Sequence, residues 1–330
     1  MRRAGRKHRV FVLDDAGSIE STIQNAVDAA RNEAGAVVAV GGDGTINAVA
    51  SAALAANCLF GALPRGTFNY FGRTHGIPEE IDAALGDLLS GSPVPVQVGW
   101  VNDRVFLVNA SVGLYPELLE DREQFKQRYG RSRLVALWSA VVTACGPLRH
   151  LDMVLEEGGK RVDLRAATLF VGNNRLQLEQ VGMPQAALLN KQTLAAIAVK
   201  PVSTLALLGL GARGAVGKLA DAENVTGFCF HSLTVTPLGL WRGMRGARRA
   251  RKAAGQEKVR GGRVKVAIDG EIVWLRAPLN FRVGEAALPL IKRRPEAKPD
   301  DPAAASAAGE CEPATGSLPE GLPGSQADAQ

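Results

Sequence analysis

Apolar and polar positions change rhythm partway along the chain. In the first hundred residues, Val10–Leu13, Ala36–Val40 and Leu59–Leu63 are continuous apolar runs of strand length. Ile19–Arg31 sets Ile19, Ile23, Ala26, Val27 and Ala30 on one helical face, Thr45–Ala56 is an Ala-rich helix, and Glu79–Ser90 begins another just after Pro78. Alternating strands and helices predict a parallel sheet with crossover helices. From Val98 the runs shorten. Val98–Val101 and Arg104–Asn109 predict a hairpin across Asn102-Asp103. Leu164–Val171, Leu194–Val199, Phe228–Thr236, Val264–Ile268, Leu279–Val283 and Leu288–Ile291 are short strands separated by turn signals, as in an antiparallel sandwich. One helix interrupts them, Arg131–Cys145, with Leu134, Leu137, Trp138, Val141 and Val142 on a core stripe. The expected fold is α/β: a parallel-sheet domain over 1–97, a β-sandwich-like domain over 98–298, and a tail over 299–330.

Composition supports that division. A chain of 330 residues suits about two domains at roughly 150 residues each. With 46% hydrophobic and 22% charged residues, wholesale disorder and fibrous architecture are excluded. Charge is unevenly placed. The whole chain is at +6, yet residues 299–330 hold Asp300, Asp301, Glu310, Glu312, Glu320 and Asp328 with no Lys or Arg, which leaves +12 on the rest. So basic a body favours anionic partners. The tail, rich in Pro, Gly, Ala, Ser and acids, is too poor in apolar surface to fold. Cys58, Cys145, Cys229 and Cys311 stand singly, without metal-ligand or redox spacing, which suits a reducing cytosol. The longest apolar windows, Leu134–Cys145 and Val202–Ala212, fall short of the roughly 20 residues of a membrane-spanning helix.

Chemistry first shows at Val37–Asn47, V-V-A-V-G-G-D-G-T-I-N. A buried strand runs into Gly41, Gly42, Asp43 and Gly44, and Thr45, Ile46 and Asn47 open a helix. Glycines permit positive φ and let bare backbone N–H groups approach an anion. The helix N-terminus adds unpaired donors and the positive end of its dipole, a ready phosphate site. Asp43 would repel phosphate there unless a cation or a proton-transfer role compensates it; alternatively it caps the helix. A second strand leads into L-P-R-G-T-F-N-Y-F-G-R, Leu63–Arg73, turning at Pro64-Arg65-Gly66. Thr67 and Asn69 offer polar side chains to a nucleotide, and Arg73 could contact phosphate. Neighbouring strand ends in such a sheet face one crevice where ligands bind.

The pair G-G-D-G-T-I-N and L-P-x-G-T-x-N-x-F-x-R resembles the catalytic domain of the diacylglycerol kinase, sphingosine kinase and bacterial lipid kinase superfamily. The resemblance continues through F-L-V-N-A-S-V-G-L (Phe106–Leu114), V-G-N-N (Val171–Asn174) and V-A-I-D-G-E (Val266–Glu271), covering most of residues 10–292. It implies transfer of the γ-phosphoryl group of ATP, as its Mg²⁺ complex, to a lipid alcohol, with diacylglycerol the first candidate. By position, Gly41–Asn47, Gly66, Thr67 and Asn69 would hold the nucleotide. Asp269 and Glu271 would lie at the cleft between domains, Glu271 as proton acceptor, with Asp43 sharing that role or acting through a cation. Read alone, Asp269-Gly270 is also a common hairpin turn. NAD kinases share the glycine string, and a catalytically inactive lipid- or nucleotide-binding protein is a further alternative.

Three departures from the family pattern stand out. The chain starts after the strand and N-P-x-S-G-type loop with which the family usually begins, so that Val10–Leu13 corresponds to the second strand. Tyr70 stands where an aspartate is usual. In the element that binds a structural Mg²⁺, Asn190 replaces the acid and Lys191 the glycine; since Mg²⁺ prefers anionic oxygens, that metal site is expected to be weak or absent. There is also a basic insertion, 237–263. Arg242, Arg245, Arg248, Arg249, Arg251 and Lys252 follow Leu238, Leu240, Trp241 and Met244. Such a segment suits peripheral contact with an anionic membrane surface, or is simply solvated. Nucleic acid is not the expected partner, because only Trp241 is available for base stacking.

Overall fold

In the computed structural model, residues 4–14, 17–113, 116, 151–180, 182, 192–201, 213, 224–239 and 262–293 are described. The chain divides into two units, one of Met1–Val96 with Glu285–Glu296 and one that includes Gln97–Gly284. The helix expected at Arg131–Cys145, most of the basic insertion and the acidic tail lie outside the described residues.

The first unit follows the alternation seen in the sequence. It runs α1 (Ile19–Asn32), β1 (Ala36–Gly41), α2 (Asp43–Ala55), β2 (Leu59–Pro64), α3 (Tyr70–Thr74), α4 (Ile81–Ser90) and β3 (Ser92–Val96). β1 and β2 pair in parallel from Ala36↔Leu59 to Gly41↔Pro64, so both strands end at one edge. α1 buries Ile23 and Val27, while α2 buries Ile46, Val49, Ala50 and Ala53. Helix α4 begins two residues later than its pattern suggests. The Glu80 carboxylate accepts the backbone N–H groups of Asp82 (3.1 Å) and Ala83 (2.7 Å), and these bonds hold its pKa below the ordinary value. β3 was not read from the sequence because Pro93 and Pro95 interrupt it; prolines are tolerated on an edge strand, which is where it lies.

Two expectations change here. Val10–Leu13 forms no strand, and Val10 (79%) and Val12 (65%) are exposed. An apolar run becomes a strand only with a ladder partner, and among the described residues β1 pairs only with β2. Leu288–Ile291, expected among the second domain's strands, falls instead in β16 (Leu288–Lys292) of the first sheet. That sheet runs β1-β2-β16-β3, with β16 parallel to β2 and antiparallel to β3. Apolar periodicity marks a buried strand but does not say which sheet it joins.

Helix α3 ends on a titrating group. His75 packs edge-on against Phe71, centroids 4.5 Å apart, and burial followed by the nearby Lys292 charge lowers its pKa to about 3. The imidazole is therefore neutral in the fold and protonates in the unfolded chain as pH falls through 6.5. Stability contributed by its neutral form is present above that pH and lost below it. The residue keeps intermediate exposure, which puts the loss between pH 7 and 4.5 at about 1–2 kcal/mol. Urea unfolding of wild type and His75→Gln at both pH values should show that portion of the acid sensitivity missing from the variant; equal sensitivity would refute it.

The second unit is a two-layer β structure. One sheet contains β6 (Asn109–Gly113), β9 (Thr168–Gly172), β10 (Leu194–Val199), β11 (Val225–Phe230), β13 (Arg263–Ile268) and β14 (Glu271–Arg276), ordered β11-β10-β9-β6-β13-β14. The other contains β4 (Gly99–Val101), β5 (Arg104–Phe106), β7 (Leu151–Glu157), β8 (Lys160–Ala166), β12 (Ser232–Gly239) and β15 (Leu279–Val283), ordered β5-β4-β15-β12-β7-β8. Phe106, Leu155, Leu233 and Phe281 from the latter share one core with Val112, Leu169, Leu194 and Phe230 from the former. The expected hairpin across Asn102-Asp103 is present. The single runs expected at Leu164–Val171 and Phe228–Thr236 each split, at Ala167 and His231, into strands of different sheets. A one-residue corner leaves no gap in the apolar pattern.

Candidate functional site

The two glycine-bearing turns lie against each other at the common end of β1 and β2. The Arg65 N–H donates to the Gly41 carbonyl at 2.7 Å. A Cβ on Gly66 would stand 2.8 Å from the Gly42 Cα and 3.0 Å from Asn69 Oδ1; one on Gly41 would stand 2.8 Å from the Thr45 Cβ. Contact, not backbone conformation, therefore explains these glycines. None of Gly41, Gly42, Gly44 and Gly66 uses the positive φ that glycine permits, and Gly42 is extended at φ −80°.

Helix α2 starts directly from this contact. Gly42 is its N-cap and provides no side chain, and the first intrahelical bond is Ile46 N–H to the Gly42 carbonyl at 3.0 Å. The N–H groups of Asp43, Gly44 and Thr45 thus belong to the donor-rich first turn, at the positive end of the dipole. Such a terminus suits a phosphate. Asp43 does not cap its own helix; Oδ1 instead accepts the Phe71 N–H across the loops, at 3.4 Å. Ile46 is fully buried, so only its backbone faces the turn, and Asn47 Oδ1 accepts from Ser51 Oγ at 3.4 Å. Thr67 and Arg73 are exposed. Asn69 is 5% exposed, takes the left-handed conformation at φ 50°, and accepts the Gly66 N–H on Oδ1 at 2.8 Å. Its side-chain oxygen shapes the loop.

One feature of this loop has no signature in the sequence. Phe68 is exposed and stacks on Tyr70, centroids 5.7 Å apart and planes at 11°. Tyr70, which stands where the family pattern has an aspartate, supplies an aromatic ring instead of a carboxylate.

In the second unit, Asp269 and Gly270 form the hairpin turn that joins β13 to β14, with Ile268 paired to Glu271 and φ of 47° and 89°. Both φ values are positive, the type I′ signature of Asp-Gly hairpins. The hairpin and functional readings of these letters are compatible, because the turn does more than reverse the chain. Asp269 Oδ1 accepts the N–H groups of Val108 and Asn109, both at 2.9 Å, and Oδ2 that of Leu107 at 2.8 Å. The Asp269 N–H donates to the Asn109 carbonyl at 2.9 Å. Glu271, two residues on, is exposed at the start of β14. The two acids of one motif thus occupy different environments: Asp269 is held by three backbone donors, and Glu271 faces solvent.

The socket for Asp269 is braced by the V-G-N-N segment. Asn173 Nδ2 donates to the carbonyls of Gln97 and Leu107, each at 3.1 Å, while Gln97 Nε2 donates to Asn173 Oδ1 at 2.7 Å and the Thr193 carbonyl at 2.9 Å. Buried Asn174 accepts the Gln177 N–H at 2.9 Å at the start of α5 (Arg175–Gln180), and Gln177 Oε1 accepts from Asn109 Nδ2 at 2.9 Å. Gln97 and Gln177 carried no sequence signal. Three motifs distant in the chain, F-L-V-N, V-G-N-N and D-G-E, therefore meet in one polar network.

Asn190, the candidate metal ligand, lies outside the described residues, as do Arg242 to Lys252. Among the described residues no group of three or more His, Cys, Asp or Glu could hold a metal ion. Asp43 is the carboxylate at the glycine turns. One carboxylate together with substrate phosphates is a donor set Mg²⁺ accepts, so the residues present fit a nucleotide-borne cation. No helix among the described residues is long and apolar enough to cross a membrane. Cys58 and Cys229 are free thiols, and burial pushes Cys229 up to about 11.

Comparison with known proteins bears on the same elements. Residues 1–101 match the family described as "Diacylglycerol kinase catalytic domain". A protein of Cronobacter sakazakii named "Probable lipid kinase YegS-like" is 33% identical over 117 residues, which are 34% of this chain and 38% of that one. A Klebsiella pneumoniae protein of the same name is 40% identical over 79 residues, 23% of this chain and 27% of its own. The aligned stretches thus span from about a quarter to little more than a third of these relatives. The crystal structure of a diacylglycerol kinase from Bacillus anthracis superposes at a TM-score of 0.54, with 16% identity, over 85% of this chain and 83% of that one, a likeness of fold. The first 101 residues thus match the diacylglycerol kinase catalytic domain family, and the fold resembles that of a solved diacylglycerol kinase.

Proposed function

We propose that the protein is an ATP-dependent lipid kinase that transfers the γ-phosphoryl group to a lipid hydroxyl, with diacylglycerol as acceptor. The observation that carries this reading is the interlocked pair of glycine turns opening α2 within a matched diacylglycerol kinase catalytic domain. Backbone donors of Gly42–Thr45, with Gly66 and Thr67, would hold the triphosphate. Asp43, through Phe71, keeps the two turns together, and Asn69 fixes the second of them through Gly66. Magnesium bound with the nucleotide would supply charge neutralisation on the phosphate oxygens, where Asp43 is the nearby carboxylate. The acceptor oxygen attacks the γ-phosphorus, the bond to the β–γ bridging oxygen breaks, ADP leaves, and the hydroxyl proton passes to Glu271. Asp269, with both oxygens already accepting backbone N–H groups, positions the turn that carries Glu271. Phosphoryl transfer demands this kind of placement more than covalent chemistry. The basic body, at +12 outside the tail, favours work at an anionic lipid surface.

Labelled ATP incubated with diacylglycerol in phosphatidylglycerol micelles should label the lipid, and NAD offered instead should stay unlabelled. Glu271→Gln should lower kcat by about 10²–10⁴, the range of a general base, with an unchanged urea midpoint because the residue is exposed. Labelled NADP, or nucleotide binding with no labelled lipid, would overturn the proposal.

A further inference from the structure

The loop between the glycine turns sorts its aromatic residues oddly. Over four positions, Asn69 is 5% exposed and Phe71 2%, yet Phe68 is 51% exposed. Burying a phenylalanine is worth about 1.5–3 kcal/mol, so a Phe held in water beside a site calls for an occupant. Phe68 is also held in place: Asn69 pins the turn through Gly66, and Tyr70 lies nearly parallel behind the Phe68 ring at 5.7 Å. An offset stack of this kind leaves a flat π surface for a further ring. It lies two residues from Gly66, whose backbone meets the phosphate turn at Gly42.

We infer that Phe68, braced by Tyr70, is the surface on which the base of the bound nucleotide stacks. The inference rests on the nucleotide-binding reading above and adds the determinant for the base. A nucleotide gripped at its phosphates by the first turn of α2 carries its base one sugar away, which is the reach of a residue two positions along the adjoining turn. Stacking on an aromatic face tolerates polar surroundings, and Phe68 stands among exposed Arg65, Thr67 and Arg73. A bilayer contact would instead need a contiguous apolar patch, which one ring among these neighbours does not make.

Calorimetric titration in magnesium buffer, with ATP and with inorganic tripolyphosphate, separates base from phosphate binding. Phe68→Ala should weaken ATP about 5- to 150-fold, the value of one base–aromatic stack, and leave tripolyphosphate unchanged. Phe68→Trp should retain ATP affinity, and Tyr70→Ala should weaken ATP in the same direction by less. Equal weakening of both ligands by Phe68→Ala, or an unchanged ATP affinity, overturns the inference. So does a loss confined to sedimentation with phosphatidylglycerol vesicles. If wild type binds tripolyphosphate as tightly as ATP, only the stacking role falls; if it binds neither, the nucleotide reading falls with it.

Discussion

Gly66→Ala should raise the dissociation constant for ATP about 100-fold while leaving the chain folded. The added methyl would stand 2.8 Å from the Gly42 Cα, and that neighbour is backbone, which cannot rotate away. Asn69 Oδ1, at 3.0 Å, closes the other side. The two turns must part, which stretches the bond from Arg65 to Gly41, while the methyl presses on the oxygen that Gly66 bonds within its own turn. A displacement on the order of 1 Å in a positioning element costs about 10²-fold in catalysis, and here it falls on the donors themselves. Overpacking at one loop contact should cost only about 1–3 kcal/mol in stability. Gly86→Ala, in α4 of the same unit, is the control: its Cβ would meet nothing within 4 Å, so binding stays intact and the helix gains about 0.5–1 kcal/mol. Calorimetry and urea unfolding check both halves. Wild-type affinity in Gly66→Ala would show that the contact of the turns does not build the site.

The largest stability effect should come from Asp269. Removing its carboxylate strands three backbone N–H groups, those of Leu107, Val108 and Asn109. Hydrogen bonds to a charged group contribute about 1.5–3 kcal/mol each when buried, and this partly exposed residue should give about 3–4 kcal/mol in total. Three variants separate the causes. Asp269→Gly deletes the acceptors but suits φ 47°; Asp269→Ala adds roughly 1 kcal/mol of left-handed strain; Asp269→Asn keeps that conformation and one acceptor and should lose least. The expected order of urea midpoints is wild type, Asn, Gly, Ala. Should Asp269→Asn keep full stability and still abolish turnover, the proton acceptor would be Asp269 and not Glu271.

Much of this was readable in the letters. Leu194–Val199 and Leu279–Val283 match their predicted strands to the residue, because a short apolar run bounded by turn residues has little choice. The glycine turn after β1 and the D-G-E hairpin both form where the letters put them, since glycine next to a strand end is informative about backbone. What the letters could not carry was partnership. Val10–Leu13 has strand composition and no ladder, and Ala167 and His231 each turn a seemingly continuous strand from one sheet to the other. The resemblance names Glu271 as proton acceptor, but that Asp269 is held by the three N–H groups of 107–109 is visible only in the fold. A lone aromatic in a polar loop such as Phe68 reads as ordinary surface, and its stack on Tyr70 shows only in the fold.

The position of β16 bears on how the molecule is born. Leu288–Lys292 fills the gap separating β2 from β3, so a nascent chain must leave nearly two hundred residues of the other unit behind it, between Val96 and Glu285, before the four-stranded sheet can close. On the ribosome the glycine turns emerge early yet wait on an unfinished scaffold. A clone ending at residue 101, though it holds the entire matched catalytic domain, would leave β3 without its neighbour.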